Sequence, residues 1–554
     1  MPIKLKNALI SISLLLFLFL LPGYEDAFRI WKATLYQLTQ KKHPNPTYTC
    51  LVPMRDGIRL ATDVYLPPGE GPWPVILLRT PYNKLPVNIP TQFTENGYGV
   101  VIQNTRGRYK SEGIDIIYQT DGWGTLQDGY DTCSWIVTQT WCNGKIGTLG
   151  NSAMGITQCL LAPTQPPGLT CQVIGFAPGD FYDDWAFTGD APLHLWKEWL
   201  KRQGALWLYG ESCNHFPKDE WWDKFNFIKV APRINVPVLH ITGWYDIWAA
   251  GAIRRFQSWQ KNGGTGAKGN QKLLIGPWTH ETTNGVVGCE GYPTETLPNP
   301  DILVPRFFDY WLKGEENGLY EEPPISYWEM TSPDKCNDSG WRKVAHFPHT
   351  ESKAFFFNAE MTLINEVPNT ARSVSFIYNP RSPWSTIGGS TLLGNAGPKD
   401  VSKELKKDHH ILFMTNPLEE QLKVTGEIQS LLYVETNVPC ADLVAILLDI
   451  LPDGRNIILV DGIKRLKFSK DVFLNLPLTK PGEAIPLSLG WTSYVFPSGH
   501  RIGIVITGGN WPRFERNPQN GKIHYIEEDA RPAHYNVFFG GDKSSQLLLP
   551  VVLS

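Results

Sequence analysis

Ser152 lies between two glycines in the stretch Gly150-Asn151-Ser152-Ala153-Met154-Gly155, where a short apolar run (Lys145 to Leu149) gives way to a helical one that stops before Pro163. A serine on so sharp a strand-to-helix reversal has the form of a nucleophile elbow. Its side chain is pushed out of a strained turn, and the flanking residues must be small because other backbone passes close by. The helix that starts at the next residue turns unbonded N–H groups toward the hydroxyl, where they favour developing negative charge. The spacing is G-x-S-x-x-G rather than G-x-S-x-G, so the serine alone also fits an ordinary turn between a strand and a helix.

A hydroxyl becomes a nucleophile only when a base removes its proton, and that base needs an acid to fix its tautomer and stabilise its charged form. Two later apolar runs supply both, in the chain order serine, acid, histidine: VLHITGWYD ends in Asp246 and LLIGPWTH ends in His280. Taken singly, Asp246 could cap the following helix and His280 could belong to a surface loop. Their shared strand-end position and their order join them to Ser152. Acyl transfer also needs donors for a tetrahedral oxyanion. The backbone N–H of Ala153 is one, and RTPYNK, the loop after an earlier strand, offers the phenol of Tyr82 as the second.

The elements that must hold these groups are apolar runs alternating with helical stretches: PVILLRTPYNK, YGVVIQNTRGR, TCQVIGFAP, PVLHITGWYD and QKLLIGPWTH. That alternation means a doubly wound α/β sheet, with chemistry beyond the carboxyl ends of its strands. Residues 181–233 turn helical and tryptophan-rich, as suits a cap inserted over that edge. From residue 324 to 554 the chain is strand and turn throughout, which indicates a β-sandwich of the jelly-roll kind. The expected division is a leader at 1–24, an amphipathic segment and linker at 25–47, an α/β-hydrolase core at 48–180 and 234–323, a helical cap at 181–233, and a jelly roll at 324–554. The Asp449…Asp453-Gly454 pattern reads as a hairpin turn rather than a calcium loop.

At 554 residues the chain holds several domains, and 42% apolar against 19% charged residues is a globular composition. A net charge of -3, with no basic run and no Cys/His finger spacing, argues against nucleic acid as a partner. At the N-terminus, Lys4 and Lys6 precede an apolar run from Ala8 to Leu21. It has the length of a signal-peptide core and implies export, either with cleavage or as an uncleaved membrane anchor. The nine cysteines lack metal-ligand spacing. Cys133 and Cys142 are near enough to pair in an exported protein, with buried free thiols as the equal alternative. No metal or organic cofactor is implied.

The segments MRDGIRLATDVYLP, LLRTPYNK, NTRGRYKSEG, DGYDTCSWIVTQTWCNGKIGTLGNSAMG, TGWYD, GPWTH, FFDYWLKG, PDGRN and WPRFERNPQNG run in order from about Tyr48 onward. Together they resemble the CocE/NonD hydrolases, the family of cocaine esterase, glutaryl acylase, α-amino-acid ester hydrolase and X-prolyl dipeptidyl peptidase. The resemblance implies a hydrolase core, an inserted helical cap and a C-terminal jelly roll. It also implies a triad of Ser152, Asp246 and His280, with Tyr82 and the Ala153 N–H as oxyanion donors. Two features depart from the family. Ala153 stands where family elbows usually carry tyrosine, and Trp248 and Ala249 stand where α-amino-acid ester hydrolases carry acids that hold a substrate ammonium. Asp183 and Asp184 in the cap are the remaining candidates to attract an amine, with Trp248 as a pocket residue; solvated surface acids are the plainer reading of the pair. The expected activity is hydrolysis of small esters or amides through an acyl-enzyme. The alternatives are an X-prolyl dipeptidyl peptidase with the same triad, and an envelope-bound glycan- or polymer-binding protein with a vestigial hydrolase domain.

Overall fold

The computed structural model describes residues 45–84, 89–122, 124–280, 300–392, 394–470, 474–480 and 482–553. The leader expected at 1–24, and the segment after it as far as residue 44, lie outside the described residues. Among the described residues no helix is long and apolar enough to cross a membrane.

The apolar runs form the centre of one sheet. Counting strands of five residues or more, these are β1 (Tyr48–Pro53), β2 (Arg59–Tyr65), β3 (Trp73–Thr80), β4 (Gly99–Asn104), β5 (Cys142–Asn151), β6 (Leu169–Gly175), β7 (Val238–Tyr245), β8 (Lys272–Thr279), β9 (Ile325–Thr331) and β10 (Gly340–Val344). Their spatial order is β1-β2-β4-β3-β5-β6-β7-β8-β9-β10, parallel from β4 through β9, with β2 antiparallel to β4. β7 and β8 are buried along their whole length. Such runs suit strands covered on both faces, since a parallel sheet takes helices above and below. Among the described residues the α-helices are α1 (Ile89–Thr94), α2 (Asp128–Val137), α3 (Ala153–Leu161), α4 (His194–Arg202), α5 (Leu206–Asn214), α6 (Ala249–Asn262) and α7 (Pro300–Phe308). α6 shows how sequence selects the face: Ile253, Phe256 and Trp259 are buried, while Gln257 and Lys261 are exposed.

The tryptophan-rich insert, with α4 and α5, caps the carboxyl edge. Its core is aromatic, with Phe181 packed against Trp196, Phe225 and Phe227 at centroid distances of 6.0, 5.1 and 6.0 Å. The C-terminal strands are β11 (Thr350–Phe357), β12 (Arg372–Tyr378), β13 (His410–Met414), β14 (Leu422–Thr436), β15 (Cys440–Ile450), β16 (Asn456–Lys467), β17 (Ala484–Phe496), β18 (Arg501–Thr507), β19 (Ala533–Phe539) and β20 (Gln546–Val552). One layer pairs β17 with β14, and β14 with β19 and β20; the other runs β13-β18-β15-β16. β15 is buried at every residue, as a strand inside a sandwich must be.

Three details differ from the sequence reading or sharpen it. The jelly roll does not begin cleanly at residue 324. β9 pairs with β8 of the hydrolase sheet through Ile325–Tyr327 and with β17 of the sandwich through Met330 and Thr331, so one strand belongs to both sheets. Cys133 and Cys142 do not pair: both are free, Cys133 fully buried on α2, and Cys142 accepting the Gly144 N–H at 3.3 Å. In the Asp449…Asp453-Gly454 hairpin, Asp449 is wholly buried and accepts from Tyr494 at 2.7 Å and from His500 at 2.9 Å, while Gly454 supplies the turn's positive φ of 90°.

Candidate active site

β5 delivers Ser152 with φ 58° and ψ -124°, a conformation that costs an L-residue on the order of 1–3 kcal/mol and is kept only where neighbours enforce it. The neighbours are visible. The Ser152 N–H donates to Gly175 O at 3.0 Å, and its carbonyl accepts from Gly155 and Ile156 at 2.8 and 2.9 Å. A Cβ on Gly155 would sit 2.8 Å from Gly175 O, and one on Gly150 would sit 2.4 Å from the Met154 Cβ. Both glycines of the elbow are therefore required by close approach. Ala153 opens α3, so its N–H lies outside the helix's own ladder, free for a ligand beside the serine.

The three strand ends meet. His280 Nε2 lies 3.0 Å from Ser152 Oγ, and His280 Nδ1 lies 2.7 Å from Asp246 Oδ1. The Asp246 side chain is fully buried, and its other oxygen accepts the Thr242 hydroxyl at 2.8 Å. An ionised carboxylate only accepts, so Nδ1 carries the imidazole proton and Nε2 is left to take the serine's. The ring is held edge-on between Phe176, at 5.8 Å and 77°, and Trp248, at 5.0 Å and 88°. Trp248 in turn packs on Trp185 at 5.0 Å.

Tyr82 follows β3, the strand directly beside β5. Its N–H donates to Thr80 Oγ1 at 3.0 Å and its carbonyl accepts from Asn104 at 2.7 Å. The phenol oxygen accepts the Trp199 indole N–H at 3.1 Å. Burial pushes its pKa up and the indole bond partly opposes that, so the phenol keeps its proton at neutral pH.

The structure does not bring Asp183 and Asp184 to the serine as free anions. Asp184 accepts the N–H groups of Gly179 and Asp180 at 2.8 Å each and pairs with Arg254. Asp183 pairs with Lys218 at 2.7 Å. Both line a cavity of about 600 Å³ between the cap, α6 and the sandwich, which Ile247, Arg254 and Lys464 also line and neither Ser152 nor His280 reaches. Both carboxylates are ion-paired, Asp183 with Lys218 and Asp184 with Arg254, so neither stands as a free anion for a substrate ammonium.

Sequence reasoning missed Thr242 and Trp199. Thr242 stands four residues before Asp246, a spacing that carries no signal until a turn brings the two side chains together. Trp199 is 117 residues from Tyr82 and is one of 21 tryptophans.

A strained serine on the elbow of an α/β-hydrolase sheet, with imidazole and buried carboxylate in line behind it, defines a serine hydrolase of ester or amide bonds. The chain is similar to the CocE/NonD hydrolases along nearly its whole length. Residues 56–202 and 193–282 match the X-Pro dipeptidyl-peptidase (S15) family, and residues 317–548 match the X-Pro dipeptidyl-peptidase C-terminal non-catalytic domain. Cocaine esterase of Rhodococcus sp. (strain MB1 Bresler) is 28% identical over 575 residues, spanning 91% of this chain and 98% of that esterase. Among solved structures, an aminopeptidase from a marine sediment Thaumarchaeota archaeon superposes with a TM-score of 0.78 at 20% identity, covering 93% of this chain and 98% of its own. A CocE/NonD family hydrolase from Staphylococcus aureus gives 0.70 at 19%, covering 92% and 93%. At these identities the two structures speak for the fold.

Proposed function

We propose that the chain is a carboxylic ester hydrolase for small esters with an apolar acyl group. Ser152 attacks the acyl carbonyl. His280 takes the serine's proton and passes it to the leaving alcohol, Asp246 holds the imidazole in its productive tautomer, and Tyr82 with the Ala153 N–H receives the oxyanion. Water, activated by the same imidazole, then clears the acyl-enzyme. The observation that carries this reading is the single imidazole spanning Ser152 at 3.0 Å and Asp246 at 2.7 Å. An apolar acyl group is supported by the aromatic pair on one side of His280, Trp248 against the imidazole and Trp185 against Trp248.

An X-prolyl dipeptidyl peptidase needs an anion for its substrate's terminal ammonium. The pairing of Asp183 with Lys218 and of Asp184 with Arg254 supports the ester reading over that one. Export, with the apolar run from Ala8 to Leu21 as leader or anchor, is part of the same proposal. It is supported by Cys336 being disulfide-bonded, a state that persists in oxidising compartments. N-terminal sequencing of the mature protein and fractionation of the producing cells test it.

The deciding experiment is intact mass after fluorophosphonate treatment, for the parent and for Ser152→Ala. One adduct on the parent and none on the variant are expected. Turnover of p-nitrophenyl acetate and benzoate, with no release from Ala-Pro anilides, is expected to follow. Absence of an adduct on folded parent protein sinks the triad; anilide cleavage without ester turnover moves the assignment to the peptidase.

A further inference from the structure

We propose that Trp199, on the cap, is a positioning residue that aims the hydroxyl proton of Tyr82 into the oxyanion site, so that this donor is complete only when the cap is seated on the core. The proposal rests on the reading of Tyr82 as an oxyanion donor and goes beyond it by naming what orients the phenol.

A phenol hydroxyl donates one hydrogen bond through its proton and accepts another at its oxygen. Conjugation keeps that proton near the ring plane, on one of two sides. With the Trp199 N–H donating to the oxygen at 3.1 Å, the side facing the indole is taken and the proton is turned to the other. Among the described residues nothing accepts the proton of Tyr82, which leaves it for a ligand oxygen. A donor already aimed when charge develops costs no reorganisation during reaction, and oxyanion stabilisation depends on this.

The two partners are fixed by different parts of the fold. Tyr82 is tied to the core through Thr80 at the end of β3 and Asn104 at the end of β4. Trp199 belongs to α4 and is clamped in a stack, its ring parallel to Tyr118 (5.9 Å, 2°) and nearly parallel to Trp196 (5.9 Å, 14°). The indole–phenol bond therefore crosses the seam between core and cap. A second link crosses nearby, from Arg108, after β4, to Gln203, just beyond α4, at 3.3 Å. A shift of the cap by an ångström or two would break the first bond and return the hydroxyl to free rotation, leaving the Ser152–His280–Asp246 line untouched. Stacking alone would not need the indole nitrogen to face Tyr82. Trp196, in the same stack, has a buried Nε1 with no partner among the described residues, so an indole here can pack without bonding.

The test is a double-mutant cycle on p-nitrophenyl acetate turnover, with folding checked by circular dichroism. Trp199→Phe keeps an aromatic ring in the stack and deletes the N–H. It is expected to lower kcat about fivefold, the equivalent of one ordinary neutral hydrogen bond. Tyr82→Phe alone is expected to lower kcat by about 100-fold, as removal of an oxyanion donor does. In the Tyr82→Phe background, Trp199→Phe is expected to have no further effect on kcat, because there is no hydroxyl left to orient. Trp196→Phe serves as the packing control and is expected to change kcat by the same factor in both backgrounds. If Trp199→Phe also lowers kcat by one factor in both backgrounds, the indole acts through packing and the proposal is overturned. An undiminished kcat in Tyr82→Phe overturns the oxyanion reading of Tyr82 itself, and this inference with it.

Discussion

Asp246→Asn is the substitution on which the site's geometry makes the sharpest demand. In the parent, Oδ1 faces His280 Nδ1 at 2.7 Å and Oδ2 takes the Thr242 hydroxyl at 2.8 Å, with the side chain wholly buried. An asparagine keeps the shape but has one accepting oxygen where the carboxylate has two. If that oxygen stays with the Thr242 donor, the amide NH₂ faces His280 Nδ1. The imidazole must then carry its proton on Nε2, pointing at Ser152 as a donor, and the base is blocked. The lost charge adds to this. An imidazolium and a carboxylate with charge centres about 4 Å apart attract by about 4 kcal/mol at an effective dielectric of ~20, which corresponds to roughly a thousandfold in rate. The assay is kcat/KM for p-nitrophenyl acetate, with melting temperature as the fold check. A loss of at least about 10³-fold is expected, and Thr242→Val added to Asp246→Asn is expected to recover part of it, because the amide is then free to turn its oxygen to His280. Activity within about tenfold of the parent in a folded Asp246→Asn protein would rule out this role for Asp246, since a buried charged partner cannot be worth so little to the ion pair formed during reaction.

Gly155→Ala is expected to destabilise the chain by about 1–3 kcal/mol in urea unfolding, because its Cβ would press on Gly175 O and on Ala177 where α3 meets β6; an unchanged midpoint would mean that the elbow has slack. Asp183→Asn, at a half-exposed ion pair, is expected to leave ester turnover within about twofold, whereas a large loss confined to amine-bearing substrates would reinstate an ammonium site. Stability is expected to fall as pH drops from about 6.5, the ordinary histidine range. Burial, then the neighbouring His409, pushes His410 down to about 4, and burial also holds His409 and His240 below their ordinary values. At these three histidines the unfolded chain binds more protons than the folded one in that window, so their contribution to stability rises with pH and is lost toward pH 4. Equal urea midpoints at neutral pH and at pH 4.5, or no flattening of the difference in His410→Asn, would count against it.

The features legible in the residues alone are local ones. Strand-length apolar runs, the Ser/Gly turn and the order serine, acid, histidine were readable because each depends on a few consecutive residues and on where a run ends. Burial on both faces forces a parallel strand to be apolar throughout, and a strand-to-helix reversal forces small residues at Gly150 and Gly155. The same locality leaves long-range partners unread. The ion-pair partners of Asp184 and Asp183, Arg254 and Lys218, lie 70 and 35 residues away and carry no local signal. Cys133 and Cys142 are close in sequence, yet both thiols are free. Residue 324 looked like a boundary because nothing in ISYWEM says that its two halves pair with strands of different sheets.

Tertiary packing supplies the rest: the 2.7 and 3.0 Å distances at which the His280 imidazole meets Asp246 and Ser152, the hold of Thr242 on the second oxygen of Asp246, and the contact of the Tyr82 phenol with one tryptophan out of 21. These are distances of about 3 Å between side chains whose chain separation mostly runs from tens of residues to more than a hundred. Hydropathy and spacing can bring a residue to the correct edge of a sheet. Which neighbour it then touches depends on strand order, on helix rotation and on how the cap sits over the core, and those are set by the packing of the whole molecule.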